Sequence, residues 1–97
     1  MKLRFTKRAT RDLVAIADRI KQASPASASR VRDAIMSSIK TLTLFPGAGR
    51  RQAVEGIRKL VTRKYSFLVY YKIDRAGDEV IILTIQHPSL EREFIDE

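Results

Sequence analysis

The side chains of this 97-residue sequence best suited to chemistry lie in its second half: Arg50-Arg51, Arg58, Arg63-Lys64, Tyr70-Tyr71 and His87. Guanidinium and ammonium groups stabilise anionic oxygens, and a phenol or an imidazole can move a proton. Each residue also has a purely structural reading. Arg58 can pair with Glu55 or with an acid of the C-terminal segment. Arg63 and Lys64 can be the solvated end of a strand, and Arg50-Arg51 a solvated loop after a glycine turn. Tyr70 and Tyr71 are adjacent and so point to opposite faces of a strand, which predicts one in the core and one at the surface. His87, the single histidine, lies between Gln86 and Pro88, the setting of a hydrogen-bonded strand terminator. One histidine and no cysteine cannot build an ordinary zinc site. Gly47-Ala48-Gly49-Arg50 lacks the spacing and the lysine of a phosphate loop, so no cofactor is expected. No strand-elbow-helix context places a serine nucleophile.

The charge balance says more about partners than any single residue does. The chain carries a formal charge of +8, unevenly spread. Residues 1–72 hold 17 of the 19 Lys and Arg against four acids (Asp12, Asp18, Asp33, Glu55), a net +13. Residues 73–97 hold seven acids against Arg75 and Arg92, a net −5. A basic body attracts polyanions, either nucleic acid or an acidic protein segment. The acidic segment from Glu91 to Glu97 is expected to fold back on that body. The absence of cysteine excludes disulfides. Met1-Lys2-Leu3-Arg4-Phe5 lacks the apolar core of a signal peptide, and no apolar run approaches a membrane span, so a cytoplasmic location is expected.

Periodicity assigns the elements that must position these groups. Lys2 to Phe5 predicts a short strand with Leu3 and Phe5 on one side, and Thr6 is a helix N-cap. Ala9, Leu13, Ile16, Ala17 and Ile20 form the apolar stripe of a helix. Arg8, Arg11, Asp12, Asp18, Arg19 and Lys21 fall on its wet side. Lys7, Arg8 and Arg11 crowd the N-terminal end, where cations oppose the helix dipole, which suggests selection by a partner. Ser24 can cap a second helix with Pro25 at its first position. That helix carries Ala28, Val31, Ile35, Ile39 and Leu42 on one face and stops at Phe45-Pro46-Gly47-Ala48-Gly49.

Strand patterns follow: a loop over Gln52–Gly56, then strands over Ile57–Lys64, Ser66–Ile73 and Glu79–Gln86. Asp74 to Asp78 is the hairpin loop before the last strand, with Gly77 supplying positive φ. That strand places Ile81, Leu83 and Ile85 on one face and Val80, Ile82 and Thr84 on the other. Apolar on both faces, it needs the helices on one side and a loop or partner on the other. The order β-α-α-β-β-β predicts one α+β domain over residues 1–97, a helical hairpin on a small antiparallel sheet in two layers.

Five ordered segments resemble a known superfamily: Phe5-Thr6-x-x-Ala9-x-x-Asp12-Leu13, Leu42-x-x-Phe45-Pro46-x-x-Gly49-Arg50, Gly56-Ile57-Arg58-Lys59-Leu60, Tyr65-x-x-Leu68-Val69-Tyr70-Tyr71 and Val80-x-Ile82-Leu83-x-Ile85-x-His87. They are similar to the ParE/RelE toxins of plasmid-stabilisation and type II toxin-antitoxin systems over residues 2–88, and the helical hairpin and the Phe-Pro turn bring the chain nearer ParE. The resemblance implies a growth-inhibiting toxin held in a hetero-oligomer by an acidic, partly disordered antitoxin. It implies inhibition of DNA gyrase without a catalytic constellation, Arg50, Arg51, Arg58, Arg63 and Lys64 being target or polyanion contacts. A RelE-like alternative implies ribosome-dependent mRNA cleavage, with Arg58, Arg63, Tyr71 and His87 as participants in activating the 2′-hydroxyl and stabilising the phosphorane. Many relatives place an arginine three residues after the histidine. Here that position is Leu90 and the nearest arginine is Arg92, which weighs against the ribonuclease. A third alternative is a non-toxic binding module that acts with an antitoxin in operon repression.

Overall fold

The computed structural model describes residues 1–90. Its elements are β1 (Lys2–Phe5), α1 (Lys7–Ala23), α2 (Pro25–Lys40), β2 (Arg50–Arg51), β3 (Arg58–Val61), β4 (Leu68–Asp74) and β5 (Glu79–Gln86). Single 3-10 turns cover Thr41–Thr43, Pro46–Ala48 and Pro88–Leu90. The sheet order is β1-β5-β4-β3-β2, and the two helices pack side by side on one face of it. The α+β two-layer architecture is as the sequence predicts. The sheet itself is mixed, because β1 runs parallel to β5 while the remaining pairs are antiparallel. It also gains an edge strand, β2, where the sequence reads as loop. No helix among the described residues is long and apolar enough to cross a membrane.

The predicted stripes become the core. Ala9 of α1 and Val31, Ile35 and Ile39 of α2 meet Val69, Tyr71, Val80, Ile82 and Ile85 of the sheet, with Leu42 and Phe67 closing the ends. Leu13, Ile16 and Ile20 pack against this cluster from α1. On the opposite face Ile57, Leu68 and Tyr70 form a second cluster with Val54 and Leu83. The segment between β2 and β3 therefore supplies Val54 and Ile57 as the cover that an apolar outer face requires.

At the start of α1, three groups tie the helix to β5. The Thr6 side chain accepts from the Ala9 amide at 3.1 Å, the expected N-cap. The same hydroxyl donates to the Leu83 carbonyl at 2.9 Å, while the Thr6 amide donates to the Ile82 carbonyl at 3.0 Å. Asp12 accepts from the Thr84 hydroxyl and from the Ile85 amide at 3.0 Å. These contacts surround a β-bulge: Tyr70 pairs with Thr84 and Tyr71 with Ile82, leaving Leu83 as the extra residue.

The bulge corrects two sequence expectations. It shifts the phase of β5 so that Ile85 joins Val80 and Ile82 on the helix side instead of Ile81 and Leu83. Asp12 leaves the wet side of α1 because the bulge presents donors that need an acceptor.

Three local expectations also change. Ser24 makes no side-chain cap to the backbone of α2, and its hydroxyl instead meets Ser27 Oγ at 2.9 Å. Pro25 does occupy the first turn. In the β4–β5 loop the positive φ belongs to Asp78 (54°), not to Gly77. A Cβ at Gly77 would lie 2.7 Å from Asp74 Oδ2, so the Asp74 carboxylate would have to shift to admit one. Arg63, expected on a strand, lies beyond the end of β3 in the turn to β4. The expectation about the acidic segment from Glu91 to Glu97 falls outside the described residues.

If Asp12 holds the bulge, Asp12→Ala strands the Thr84 hydroxyl and the Ile85 amide, and we expect a loss of about 2–3 kcal/mol. Urea unfolding measures it as a lower midpoint at unchanged slope. A loss below about 0.5 kcal/mol, the range of ordinary surface substitutions, would remove Asp12 from this role.

Candidate functional site

Tyr71 and Arg58 face one another across β3 and β4, and both reach the turn that ends the helical layer. The Tyr71 hydroxyl donates to the Pro46 carbonyl at 2.6 Å and accepts from the Gly49 amide at 2.8 Å. Arg58 donates to the Gly49 carbonyl at 2.8 Å and the Gly47 carbonyl at 3.3 Å. Gly49 is buried here because nothing larger fits: a Cβ would stand 2.6 Å from the Tyr71 ring and hydroxyl and 3.0 Å from the Lys59 carbonyl. The Phe45-Pro46-x-x-Gly49-Arg50 segment is thus clamped by a phenol and a guanidinium. Burial pushes the Tyr71 phenol above its ordinary pKa, against the smaller opposing pull of the Gly49 hydrogen bond and the Arg58 charge. Such a phenol is a poor proton donor and holds its proton for structure.

The clamp sets out a basic edge. Arg50 pairs with Lys59 and Arg51 with Arg58, so the two-residue ladder between β2 and β3 holds four cations. Like charges directly opposite on a sheet are destabilising. Arg50 and Arg51 are exposed. Among the described residues, Arg51, Arg58 and Arg75 line a hollow of about 460 Å³ with Glu55 as the one carboxylate and Ile73 on its wall. This is an anion-attracting surface built on a rigid support.

The remaining candidates lie elsewhere. Arg63 and Lys64 are exposed in the turn after β3, at the opposite end of that strand from Arg58. His87 ends β5, where its Nδ1 accepts from the Ser89 amide at 3.1 Å and meets Ser89 Oγ at 2.7 Å. Because the amide must donate, Nδ1 is an acceptor and the neutral ring carries its proton on Nε2. The hydrogen-bonded terminator reading fits this geometry. Tyr70 and Tyr71 do take opposite faces, but both are buried, which corrects the expectation of one at the surface. Tyr70 is enclosed by the cluster that includes Ile57 and Val54. The structure therefore brings Arg58 together with Tyr71, Arg50 and Arg51, and separates them from Arg63 and Lys64. Arg75 and the exposed Tyr65 were not singled out as site residues in the sequence, since an arginine and a tyrosine in turns between strands carry no periodic signal.

Removing the Tyr71 hydroxyl gives a direct check. Tyr71→Phe leaves the Gly49 amide and the Pro46 carbonyl without this partner and is expected to lower stability by about 1–3 kcal/mol. As pH rises the unfolded chain loses this phenolic proton first, near pH 10. The contribution of Tyr71 is therefore complete below about pH 10 and is lost as pH climbs through the higher folded value. Comparing urea midpoints of the two proteins from neutral to alkaline pH should show their gap closing above about pH 10. A gap independent of pH would contradict the buried-phenol account.

Comparison with known proteins places this architecture. Residues 3–89 match the ParE toxin family of the type II toxin-antitoxin system parDE. The toxin-designated protein Y4kP of Sinorhizobium fredii is 33% identical over 86 residues, covering 89% of this chain and 86% of that protein. A chain of the chromosomal ParDE toxin-antitoxin system of P. aeruginosa superposes with a TM-score of 0.79 at 31% identity, covering 90% of this chain and 95% of the other. A chain of the E. coli RelBE toxin-antitoxin complex superposes with a TM-score of 0.69 at 16% identity, over 94% of this chain and 98% of the other, and so shares the fold. The two helices on a five-stranded mixed sheet are the fold of RelE/ParE toxins, and the chain belongs to the ParE toxin family of type II toxin-antitoxin systems.

Proposed function

We propose that this toxin arrests growth by binding and inhibiting DNA gyrase, the activity its ParE resemblance implies, rather than by cutting RNA. The observation that carries the reading is the clamp: the Tyr71 hydroxyl has both its partners in the Pro46–Gly49 backbone, and Arg58 Nη1 is held by the Gly47 and Gly49 carbonyls. A ribonuclease would need such groups turned toward a scissile phosphate. The target contact is the exposed edge formed by Arg50 and Arg51, with Arg58 and Arg75 behind it in the same hollow. Arg63 and Lys64 add a second basic projection.

An antitoxin of acidic character restrains the toxin in a hetero-oligomer. Support comes from the net +13 of residues 1–72 and from the first turn of α1, which holds no acid while Lys7, Arg8 and Arg11 are exposed. The superposable chains come from ParDE and RelBE systems, each a toxin with its antitoxin. Opposite charge would steer association and make it sensitive to salt.

Controlled expression of the full chain, alone and with the adjacent small gene, tests the proposal. Growth arrest with filamentation and DNA-damage signalling is expected, relieved by the neighbour. The purified chain should inhibit supercoiling by gyrase, and Arg51→Glu, which places a carboxylate opposite Arg58, should weaken inhibition at least tenfold while keeping or raising the unfolding midpoint. Cut messages with gyrase unaffected would turn the assignment to the ribonuclease. No arrest and no cleavage, with operon repression retained, would leave a non-toxic binding module.

A further inference from the structure

The turn from Thr62 to Phe67 is built more firmly than a connection of its length requires. Thr62 is buried, and its hydroxyl donates to the Lys64 carbonyl at 2.6 Å and accepts from the Phe67 amide at 3.0 Å. The Thr62 amide closes the loop on the Phe67 carbonyl at 2.9 Å, and the Arg63 amide reaches Ser38 Oγ of α2 at 3.4 Å. Within this frame Tyr65 and Ser66 are held at φ 66° and 53°. Left-handed backbone suits glycine or asparagine, and a bulky residue there is strained. Tyr65 nonetheless occupies the position and is 50% exposed. Its ring is displayed at a conformational cost, on a support that gives it little freedom.

Tyr65 stands between two hollows that differ in chemistry. One, of about 480 Å³, has an apolar floor of Ile20, Val31 and Phe67, with Arg19 and His87 at its sides. Phe67 and His87 meet edge to face with ring centroids 5.5 Å apart, and the Nδ1 edge of His87 is already turned to Ser89. The other hollow, of about 800 Å³, is basic and hydroxylic: among the described residues, Arg30, Arg63 and Lys64 line it against Asp33, with Ser37 and Thr41 beside them. Rings over an apolar floor accept a flat heteroaromatic group, and a cluster of cations and hydroxyls accepts phosphate oxygens.

We propose that the Tyr65 turn is a nucleotide site, with a nucleobase stacked on Tyr65 in the hollow bounded by Phe67 and His87 and its phosphate held by Arg30, Arg63 and Lys64. The ligand chemistry is a nucleobase bearing a phosphate, whether free or within a single strand. An acidic peptide would use the cations and leave the rings idle. The site is separate from the Arg50–Arg51 edge and does not depend on gyrase being the target.

The test uses the full chain and three probes: fluorescein-labelled ten-nucleotide single strands (dT and rU), AMP, and a glutamate-rich peptide. Fluorescence anisotropy should show strand binding at about 10 μM or tighter at low salt, weakening steeply as salt rises. Tyr65→Asn fits the left-handed backbone without a ring, so it should keep or raise the urea midpoint while weakening binding tenfold or more. Tyr65→Phe should bind as the parent does. Arg63→Ala with Lys64→Ala should flatten the salt dependence. AMP that shifts the Tyr65 and His87 ring resonances in the parent and not in Tyr65→Asn identifies a free nucleotide as the ligand, while binding of strands alone identifies nucleic acid. Absence of binding to strands and AMP overturns the proposal, as does undiminished binding by Tyr65→Asn. Peptide binding that outcompetes the strands overturns it in favour of an acidic segment.

Discussion

The bulge at Leu83 and the start of α1 satisfy one another, and the rest of the molecule is arranged around that contact. An extra residue in β5, an interior strand of the sheet, leaves backbone and hydroxyl groups that the sheet cannot pair. Thr6 supplies a donor to the Leu83 carbonyl and Asp12 an acceptor for Thr84 and Ile85. Thr6 caps the helix and Asp12 lies in its second turn, so the helix is fixed in position and rotation relative to β5. Rotation fixes which stripe of α1 meets the sheet, and through the α1–α2 packing it fixes α2. The bulge also turns Ile85 toward the helices, which completes the core beside Phe67.

Much of this architecture was legible because burial writes itself as periodicity. All four buried positions of α2, Ala28, Val31, Ile35 and Ile39, lie on the stripe read from spacing alone. The bounds Glu79–Gln86 coincide with β5. What was not legible came from groups that answer to distant partners. Asp12 looks like a solvent-facing helix residue until Thr84 is placed beside it, 72 positions away in sequence. β2 is two residues long and has no period of its own; pairing with Lys59 and Arg58 makes it a strand. Tyr71 reads as a possible participant in proton transfer because spacing cannot reveal that Pro46 and Gly49 take both sides of its hydroxyl. Of the candidate site residues, type and approximate exposure were readable at Arg50 and Arg51, while grouping was not.

The same clamp explains how a basic edge with opposed like charges persists. Two hydrogen bonds from Arg58 and two at the Tyr71 hydroxyl hold the segment from Pro46 to Gly49 against β3 and β4. Gly49 allows the approach by having no side chain. Support of this kind lets Arg50 and Arg51 be placed for contact rather than for stability, the usual condition of an exposed surface that binds something.

The parallel pairing of β1 with β5 gives the fold a direction in time. Lys2 lies opposite Glu79 and Phe5 opposite Ile82, so among the described residues the first strand finds its neighbour in the last. β5 separates β1 from β4 in the sheet, and until it arrives neither the Val80 and Ile82 layer of the core nor the donors for Asp12 exist. During synthesis the ribosome must therefore deliver the chain through β5 before the sheet can close, and contacts of such long sequence separation form slowly. A nascent chain that has not reached β5 cannot present this folded surface, so its birth is separated from its action by the time needed to complete that strand.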